Sequence, residues 1–196
     1  MSITRFHCTK CGNCCSDSDI VITVDGTDLR RLEHRFDFDE LMKKLAFFKI
    51  DPSQPDLTSR FILPPVLTSQ GLTYIGLNKT SDGKCIFLGE SNACEIYTHR
   101  PRVCRTFPFS FNVKDGWLYW GASPFIDKCP GVGKGKRVNK QELEKMGSEA
   151  MKQIAKYEAF VEKWNTLVKQ KQITPYVYTL VKSLISGTIY QESSQT

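Results

Sequence analysis

Apolar and polar side chains alternate at two different periods along this chain, short and strand-like over the first two-thirds and helical over the last third. Asp19-Ile20-Val21-Ile22-Thr23-Val24 is rich in β-branched residues and predicts a strand. Leu29, Leu32 and Phe36 recur at helical spacing, with Asp25 or Thr27 placed to cap their helix. Phe38 to Ile50 predicts a second helix, ended by Asp51-Pro52 because the residue before a proline is driven out of the helical region. Phe61–Thr68 and Leu72–Leu77 flank Ser69-Gln70-Gly71 and predict a hairpin, its first strand confined to an edge by Pro64-Pro65. Lys84–Leu88, after the turn Ser81-Asp82-Gly83, predicts a strand carrying Cys85 inward. In a second hairpin Phe107, Phe109, Phe111 and Val113 alternate with Pro108, Ser110 and Asn112, and Asp115-Gly116 turns the chain into Trp117-Leu118-Tyr119-Trp120.

From Asn139 to Lys171, the residues Leu143, Met146, Ala150, Ile154, Tyr157, Val161, Trp164 and Val168 step by three or four, the spacing of one helix face. Thr174-Pro175 then predicts a helix start, with the helix running to about Ile185 and Gly187 after it. The two helices are expected to pack antiparallel on each other and on the sheet, leaving Gln191–Thr196 as a frayed end.

At 196 residues and 40% hydrophobic content an ordinary core can form, and 24% charged with 11% aromatic residues exclude a wholly disordered chain. No apolar stretch approaches the ~20 residues of a membrane span. The first residues, Met1 to Cys8, contain no apolar run of a secretory signal, so a cytoplasmic protein is expected. The net charge of +6 has one origin: residues 128–171 carry 11 Lys/Arg against 5 Asp/Glu, and elsewhere the signs cancel. Such a segment could attract an acidic protein, nucleic acid or lipid headgroups, although a lysine-rich solvated helix face is the plainer reading. The aromatic density of the second hairpin invites a stacking platform for single-stranded nucleic acid; core packing around a metal site is the simpler account.

The eight cysteines carry most of the chemistry: Cys8, Cys11, Cys14, Cys15, Cys85, Cys94, Cys104 and Cys129. A disulfide framework does not suit them. Adjacent Cys14 and Cys15 have Cα atoms ~3.8 Å apart, below the usual ~4.4–6.8 Å of a disulfide, and in a reducing compartment such clusters bind metal or do redox chemistry. Cys8-x2-Cys11-x2-Cys14-Cys15 is a claw whose Gly12 lets the backbone fold back so that successive thiolates face one cation. Its spacing resembles the C-x2-C-x2-C run of bacterial ferredoxins, with Cys129-Pro130 as a remote equivalent of their Cys-Pro. An extended backbone at Cys14-Cys15 would send the two side chains to opposite sides.

The downstream thiols, Cys85-x8-Cys94-x9-Cys104-x24-Cys129, have no zinc-finger spacing and depend on the fold to gather them. Two four-ligand sites, or one cluster with spare thiols, are both open. Arg100, Arg102 and Arg105 surround Cys104, where positive charge would stabilise thiolates. His7 and His99 are borderline ligands that read more simply as neighbours, and His34 lies on a polar helix face. Gly131-Val132-Gly133-Lys134-Gly135-Lys136-Arg137 lacks the spacing of a phosphate loop, and no dinucleotide fingerprint or nucleophile elbow is present. A C-x3-C-x2-C run fails at Ser18, and no acid–base pair or serine triad emerges, so no catalytic residue can be named and a dedicated hydrolase is not expected.

Phe6 to Cys15, then Cys85-Ile86-Phe87-Leu88, then Cys94 to Phe109, and Cys129-Pro130-Gly131 together resemble the YkgJ-like cysteine-cluster family, described as a zinc- or iron-chelating domain. The resemblance implies a metal-binding protein in which all eight cysteines are candidate ligands. A [4Fe-4S] cluster is preferred over zinc, with three ligands from the claw and one from Cys85, Cys94, Cys104 or Cys129. A related cluster occurs in flagellin lysine N-methylases, so the resemblance also admits a cluster-containing enzyme related to protein-lysine N-methylases. A third reading is an adaptor binding nucleic acid or an acidic protein through residues 128–171. The expected fold is α+β, a small antiparallel sheet with cysteine-rich metal-binding loops and a C-terminal helix pair. Its expected division is a cysteine-cluster domain over 1–137, a helical extension packed on it over 138–190, and the tail.

Overall fold

The computed structural model describes residues 3–50 and 62–190. In chain order its elements are β1 (Arg5–Phe6), α1 (Asn13–Ser16), α2 (Gly26–Glu33), α3 (Phe38–Lys44), β2 (Leu45–Lys49), β3 (Val66–Thr68) and β4 (Gly71–Leu77). After a 3-10 turn at Tyr97–His99 come α4 (Arg102–Thr106), β5 (Phe109–Lys114) and β6 (Trp117–Ala122). A further 3-10 turn at Ile126–Lys128 leads to β7 (Val132–Arg137), α5 (Lys140–Lys169) and α6 (Val177–Ser186). The chain is α+β, with small antiparallel sheets and helices, as its periodicities predict. It folds as two compact units that are not consecutive in sequence: Met1–Ile22 with Lys79–Lys152, and Thr23–Asn78 with Gln153–Thr196.

In the first unit two antiparallel ribbons, β1–β7 and β5–β6, surround one core. Ile3, Phe109, Phe111, Ile126, Leu143 and Ala150 are buried there, with Phe6, Leu118, Trp120 and Val132 packed against them. Phe6 meets Phe109 edge-on at 5.5 Å between ring centres, and Phe109 meets Trp120 at 6.2 Å. The start of α5 is capped by Asn139, whose side-chain oxygen accepts from the backbone N–H of Gln141 at 2.9 Å. Gly147 lets α5 lie directly on the β5–β6 hairpin: a Cβ there would stand 2.5 Å from a Phe111 ring carbon and 2.9 Å from Leu118.

The second unit is built on the sheet β2-β4-β3, with β4 in the centre. Trp164, fully buried on the C-terminal half of α5, donates its indole N–H to the Leu67 carbonyl at 2.8 Å. Asn165 accepts from the Leu67 N–H at 2.8 Å, so both backbone groups of Leu67 that face away from β4 are satisfied by α5. Asp25 is the cap of α2: its carboxylate accepts from Thr27 N and Asp28 N at 2.8 and 3.0 Å, and Asp28 reciprocates. The main helix partner of α6 in this unit is α2, where Gly26 lies against the Leu184 carbonyl.

Several elements depart from the pattern-based expectation. The helix from Phe38 stops at Lys44, and Leu45–Lys49 is instead a strand, because it pairs residue for residue with β4 from Leu77 to Thr73. Asp19–Val24 forms only one bridge, Thr23 to Gly76. Lys84–Leu88 is a series of turns with bridges at Lys79–Cys85 and Leu88–Cys94, since the Cys85 N–H is used by the Cys15 carbonyl at 2.7 Å. Most of the glycine-rich segment Gly131–Arg137 is strand β7. The last helix begins at Val177, after the Pro175 carbonyl has accepted from Ser69 N at 2.8 Å. Gly187 ends it in the left-handed conformation, φ 76°. The strand predicted from Phe61 is described only from Ile62 onward and starts at Val66, on the sheet edge; the tail from Gln191 lies outside the described residues.

Replacing Asp25 with Ala removes the α2 cap and is expected to cost about 1–2 kcal/mol in urea unfolding, with Asp25→Asn retaining most of it. Gly147→Ala is expected to lower stability by about 1–3 kcal/mol through overpacking, despite alanine's better helix propensity. A stabilised Gly147→Ala protein would contradict the close approach of α5 to the hairpin.

Candidate metal centre

All eight cysteines fall in the first unit, contributed by the N-terminal claw and three later segments, and all are free thiols. The claw is shaped by two left-handed residues around Cys11, Lys10 at φ 54° and Gly12 at φ 77°. A Cβ on Gly12 would also lie 2.7 Å from the Asn92 carbonyl, so glycine is required by conformation and by space. The Gly12 carbonyl then accepts from Cys15 N at 2.8 Å and Ser16 N at 2.9 Å, winding Asn13–Ser16 into the helical turn α1. Cys14 and Cys15 therefore do not diverge as an extended segment would make them. Their sulfurs lie 3.8 Å apart.

Backbone and side-chain contacts bring the later segments to this turn. The Cys85 N–H donates to the Cys15 carbonyl at 2.7 Å. The Leu88–Cys94 bridge and the Glu95 N–H to Phe87 carbonyl bond, 3.0 Å, fold Cys94 back beside Cys85, anchored by the buried side chains of Phe87 and Ile96. At the other end, His7 N donates to the Gly131 carbonyl at 3.2 Å and Asn13 reaches the Lys128 carbonyl at 3.3 Å, placing the Cys129 loop against the claw. Cys104 is carried by α4. Around the thiols, the Arg100 guanidinium stands 3.7 Å over the Tyr97 ring and the Lys10 ammonium 4.6 Å from the same ring centre. Lys128 pairs with Asp17, and the Lys79 ammonium donates to the Asp17 and Ser18 carbonyls, tying the end of the claw segment down.

The charges of these thiols are mutually sensed. Cys14 is drawn down to about 7, chiefly by its hydrogen bond with Cys15 and against the opposing effect of burial, with Arg100 assisting. Cys15 is pushed up by the same bond, by burial, and by the charges of Cys14, Cys85 and Cys104. Burial pushes Cys85 and Cys94 up, and the Cys14 charge adds to both. Burial likewise raises Cys129, which also feels Cys11 and Cys14. Tyr97 is held up first by hydrogen bonding with Cys8. Cys14 is the common neighbour: its charge reaches Cys15, Cys85, Cys94 and Cys129.

A set of thiols that each oppose their neighbours' ionisation is relieved by a cation, and an all-sulfur donor set suits zinc and iron. In donor chemistry the residues fit such a group. Among the described residues no three His, Cys, Asp or Glu side chains already stand at ligand spacing around one point. Of the histidines, the His7 backbone N–H donates to the Gly131 carbonyl, His99 Nδ1 stands 2.9 Å from Thr98 Oγ1, and His34 ends α2 in the second unit. Arg102 is buried at the start of α4, Arg105 donates to the Arg100 carbonyl at 3.1 Å, and the charge of Arg100 acts on Cys14 and Cys94. Tyr97, Lys10 and Lys79 are parts of the site that spacing alone did not single out; only their proximity in sequence to Cys8, Cys94 and Cys85 hinted at them.

An α+β unit that gathers eight free thiols from separate segments is a cysteine-cluster domain. Residues 7–130 match the model of the CxxCxxCC family, described as "Putative zinc- or iron-chelating domain", and the chain belongs to that family. An uncharacterized protein of Methanocaldococcus jannaschii is 33% identical over 117 residues, 58% of this chain and 50% of that protein. The chain thus spans half the length of this curated relative. No solved structure matches the chain. No described helix is long and apolar enough to cross a membrane.

Gly12→Ala places a side chain on a left-handed residue and against the Asn92 carbonyl. It is expected to cost about 1–2 kcal/mol in conformation alone and to reduce metal content after reconstitution, measured by elemental analysis. Full loading with an unchanged melting temperature would show that the claw does not depend on this turn.

Proposed function

We propose that the protein holds a metal centre through cysteine thiolates, with Cys14 as its central ligand. The observation that carries this reading is the convergence of three cysteine-bearing segments, through the Cys85 N–H on the Cys15 carbonyl at 2.7 Å and the His7 N–H on the Gly131 carbonyl at 3.2 Å, beside the Cys14 and Cys15 sulfurs 3.8 Å apart. Reduced thiols of this kind belong in a reducing compartment, which supports a cytoplasmic location. We take the centre to be a [4Fe-4S] cluster bound by Cys8, Cys11, Cys14 and one downstream cysteine, supported by the C-x2-C-x2-C run. When bound, such a cluster supplies one-electron chemistry; the chain's own contribution is to offset thiolate charge with Arg100 and to wall the site with Phe87 and Ile96.

One observation favours a second reading. Four sulfurs at ~2.3 Å around a tetrahedral zinc are ~3.8 Å from one another, and the Cys14–Cys15 separation is 3.8 Å. Two thiolates of a cubane sit on different irons and lie farther apart, so this pair suits a mononuclear ion.

Anaerobic purification with iron, zinc and sulfide determination separates the two. Iron and acid-labile sulfide in equal amounts, a brown colour, and retention of that colour in Cys15→Ser are expected for the cluster. A colourless protein with stoichiometric zinc, lost in Cys15→Ser, would replace it with the second reading. In either case Cys14→Ser is expected to lose most of the metal, and a Cys14→Ser protein with undiminished metal would refute both.

Metal removal also has a predicted effect on stability. Structural zinc contributes ~10–16 kcal/mol in small peptides, against ~5–15 kcal/mol for the net stability of a whole domain. Chelation is therefore expected to abolish the near-UV aromatic signal of the first unit and to lower its melting temperature steeply.

A further inference from the structure

The backbone bonds that gather the thiols tie Cys85 to Cys15 and His7 to Gly131. A side chain, Tyr97, joins the Cys8–Cys11 limb of the claw to the Cys94 segment. Tyr97 opens the 3-10 turn after Cys94: its backbone N–H donates to the Cys94 carbonyl at 3.2 Å, and Ile96 beside it is buried. Arg100 Nε donates to the Tyr97 carbonyl at 2.9 Å while the guanidinium lies over the ring at 3.7 Å. Arg105 in turn holds the Arg100 carbonyl at 3.1 Å. The ring is thus fixed to the segment that carries Cys94.

On the claw side, the Lys10 ammonium stands 4.6 Å from the ring centre, and the Tyr97 hydroxyl is hydrogen-bonded with the Cys8 side chain. Lys10 lies between Cys8 and Cys11 in a left-handed conformation, φ 54°. Glycine or asparagine would adopt that conformation at lower cost, so the choice of lysine is accounted for by what its ammonium does at the ring. An ionised thiol has no proton to give, which makes the hydroxyl the donor once Cys8 is a thiolate. Positive charge beside a phenol draws electron density from its oxygen and makes the O–H a stronger donor. A hydrogen bond to a ligating sulfur fixes its direction and lowers the negative charge it presents to the metal.

We propose that Tyr97 is the positioning residue for Cys8: its hydroxyl donates to the Cys8 sulfur in the metal-bound protein, and Lys10 and Arg100 hold the ring in place for that bond. The proposal rests on Cys8 being one of the thiolate ligands, and it applies to zinc and to an iron–sulfur cluster alike.

The test uses the full chain purified anaerobically with its metal. Tyr97→Phe keeps the ring, and with it the Lys10 and Arg100 contacts, and removes only the hydroxyl. It is expected to lower the apparent metal affinity in chelator competition by about 10- to 100-fold. A second readout follows the sulfur itself. If the protein holds a cluster, Tyr97→Phe is expected to move its midpoint potential to a more negative value, because a sulfur without its donor carries more charge. If it holds zinc, the zinc is exchanged for cobalt(II), and the sulfur-to-cobalt absorption of Tyr97→Phe is expected at longer wavelength than in the wild type. Tyr97→Leu, which also takes the platform from Lys10 and Arg100, is expected to lose more metal than Tyr97→Phe. Tyr119→Phe, at an exposed tyrosine of β6, is expected to change neither readout. Wild-type affinity together with an unmoved potential or band in Tyr97→Phe overturns the proposal. So does lowered affinity with the potential or band unmoved, since that is a packing effect. Cys8→Ala separates this failure from that of the metal centre: undiminished metal in that variant removes Cys8 from the ligands and overturns the proposal while the thiolate centre stands, whereas a wild type without metal overturns both.

Discussion

The organising constraint in this molecule is electrostatic crowding of sulfur. Five of the eight thiols sit where the charge of Cys14 is felt or originates, and burial raises Cys85, Cys94 and Cys129 further. Half-buried thiolates with little counter-charge oppose one another. Arg100 and Lys10, both held over Tyr97, supply some positive charge, but a multivalent cation at the sulfurs is the compensation that thiolate chemistry favours most. The family to which the chain belongs carries the same implication in its description as a zinc- or iron-chelating domain.

That crowding is assembled by backbone contacts and not by the cysteines themselves. Gly12 starts α1 in a left-handed conformation against Asn92, the Cys15 carbonyl engages Cys85, and the His7–Gly131 bond closes the Cys129 loop on the claw. Each contact joins residues far apart in sequence, so the site exists only when the first unit is folded. The hydrophobic core of that unit, from Ile3 through the two hairpin phenylalanines to Ala150 on α5, is what holds the segments in register. The cysteine site thus depends on the folding of this unit.

Local signals were legible where they were self-contained. Asp25 capping α2, the Asp115-Gly116 hairpin, the α5 periodicity and Gly187 each rest on residues within a few positions of one another, and the structure contains all four. Failures came where a partner decided. Leu45–Lys49 continues a helical pattern, yet β4 offers a full ladder of hydrogen bonds and the tertiary gain exceeds the weak helical preference of Phe47 and Phe48. Asp19–Val24 has the composition of a strand and finds one bridge. Lys84–Leu88 gives its first cysteine's N–H to the claw and so cannot continue as a strand.

For the candidate site the division is similar. Eight cysteines, their C-x2-C-x2-C-C opening and the arginines near Cys104 are properties of the linear chain, and they were sufficient to indicate thiolate–metal chemistry. That Cys14 and Cys15 point the same way, that Cys14 is the common neighbour, and that Tyr97 carries Lys10 and Arg100 beside it were decided only in three dimensions. Side-chain direction depends on the backbone conformation that Gly12 and Asn92 impose together, and two residues eighty positions apart leave no joint trace in any local spacing. The same holds for the outer face of the hairpin: alternation showed that half of its aromatic residues would be buried, and the core of the first unit chose which half.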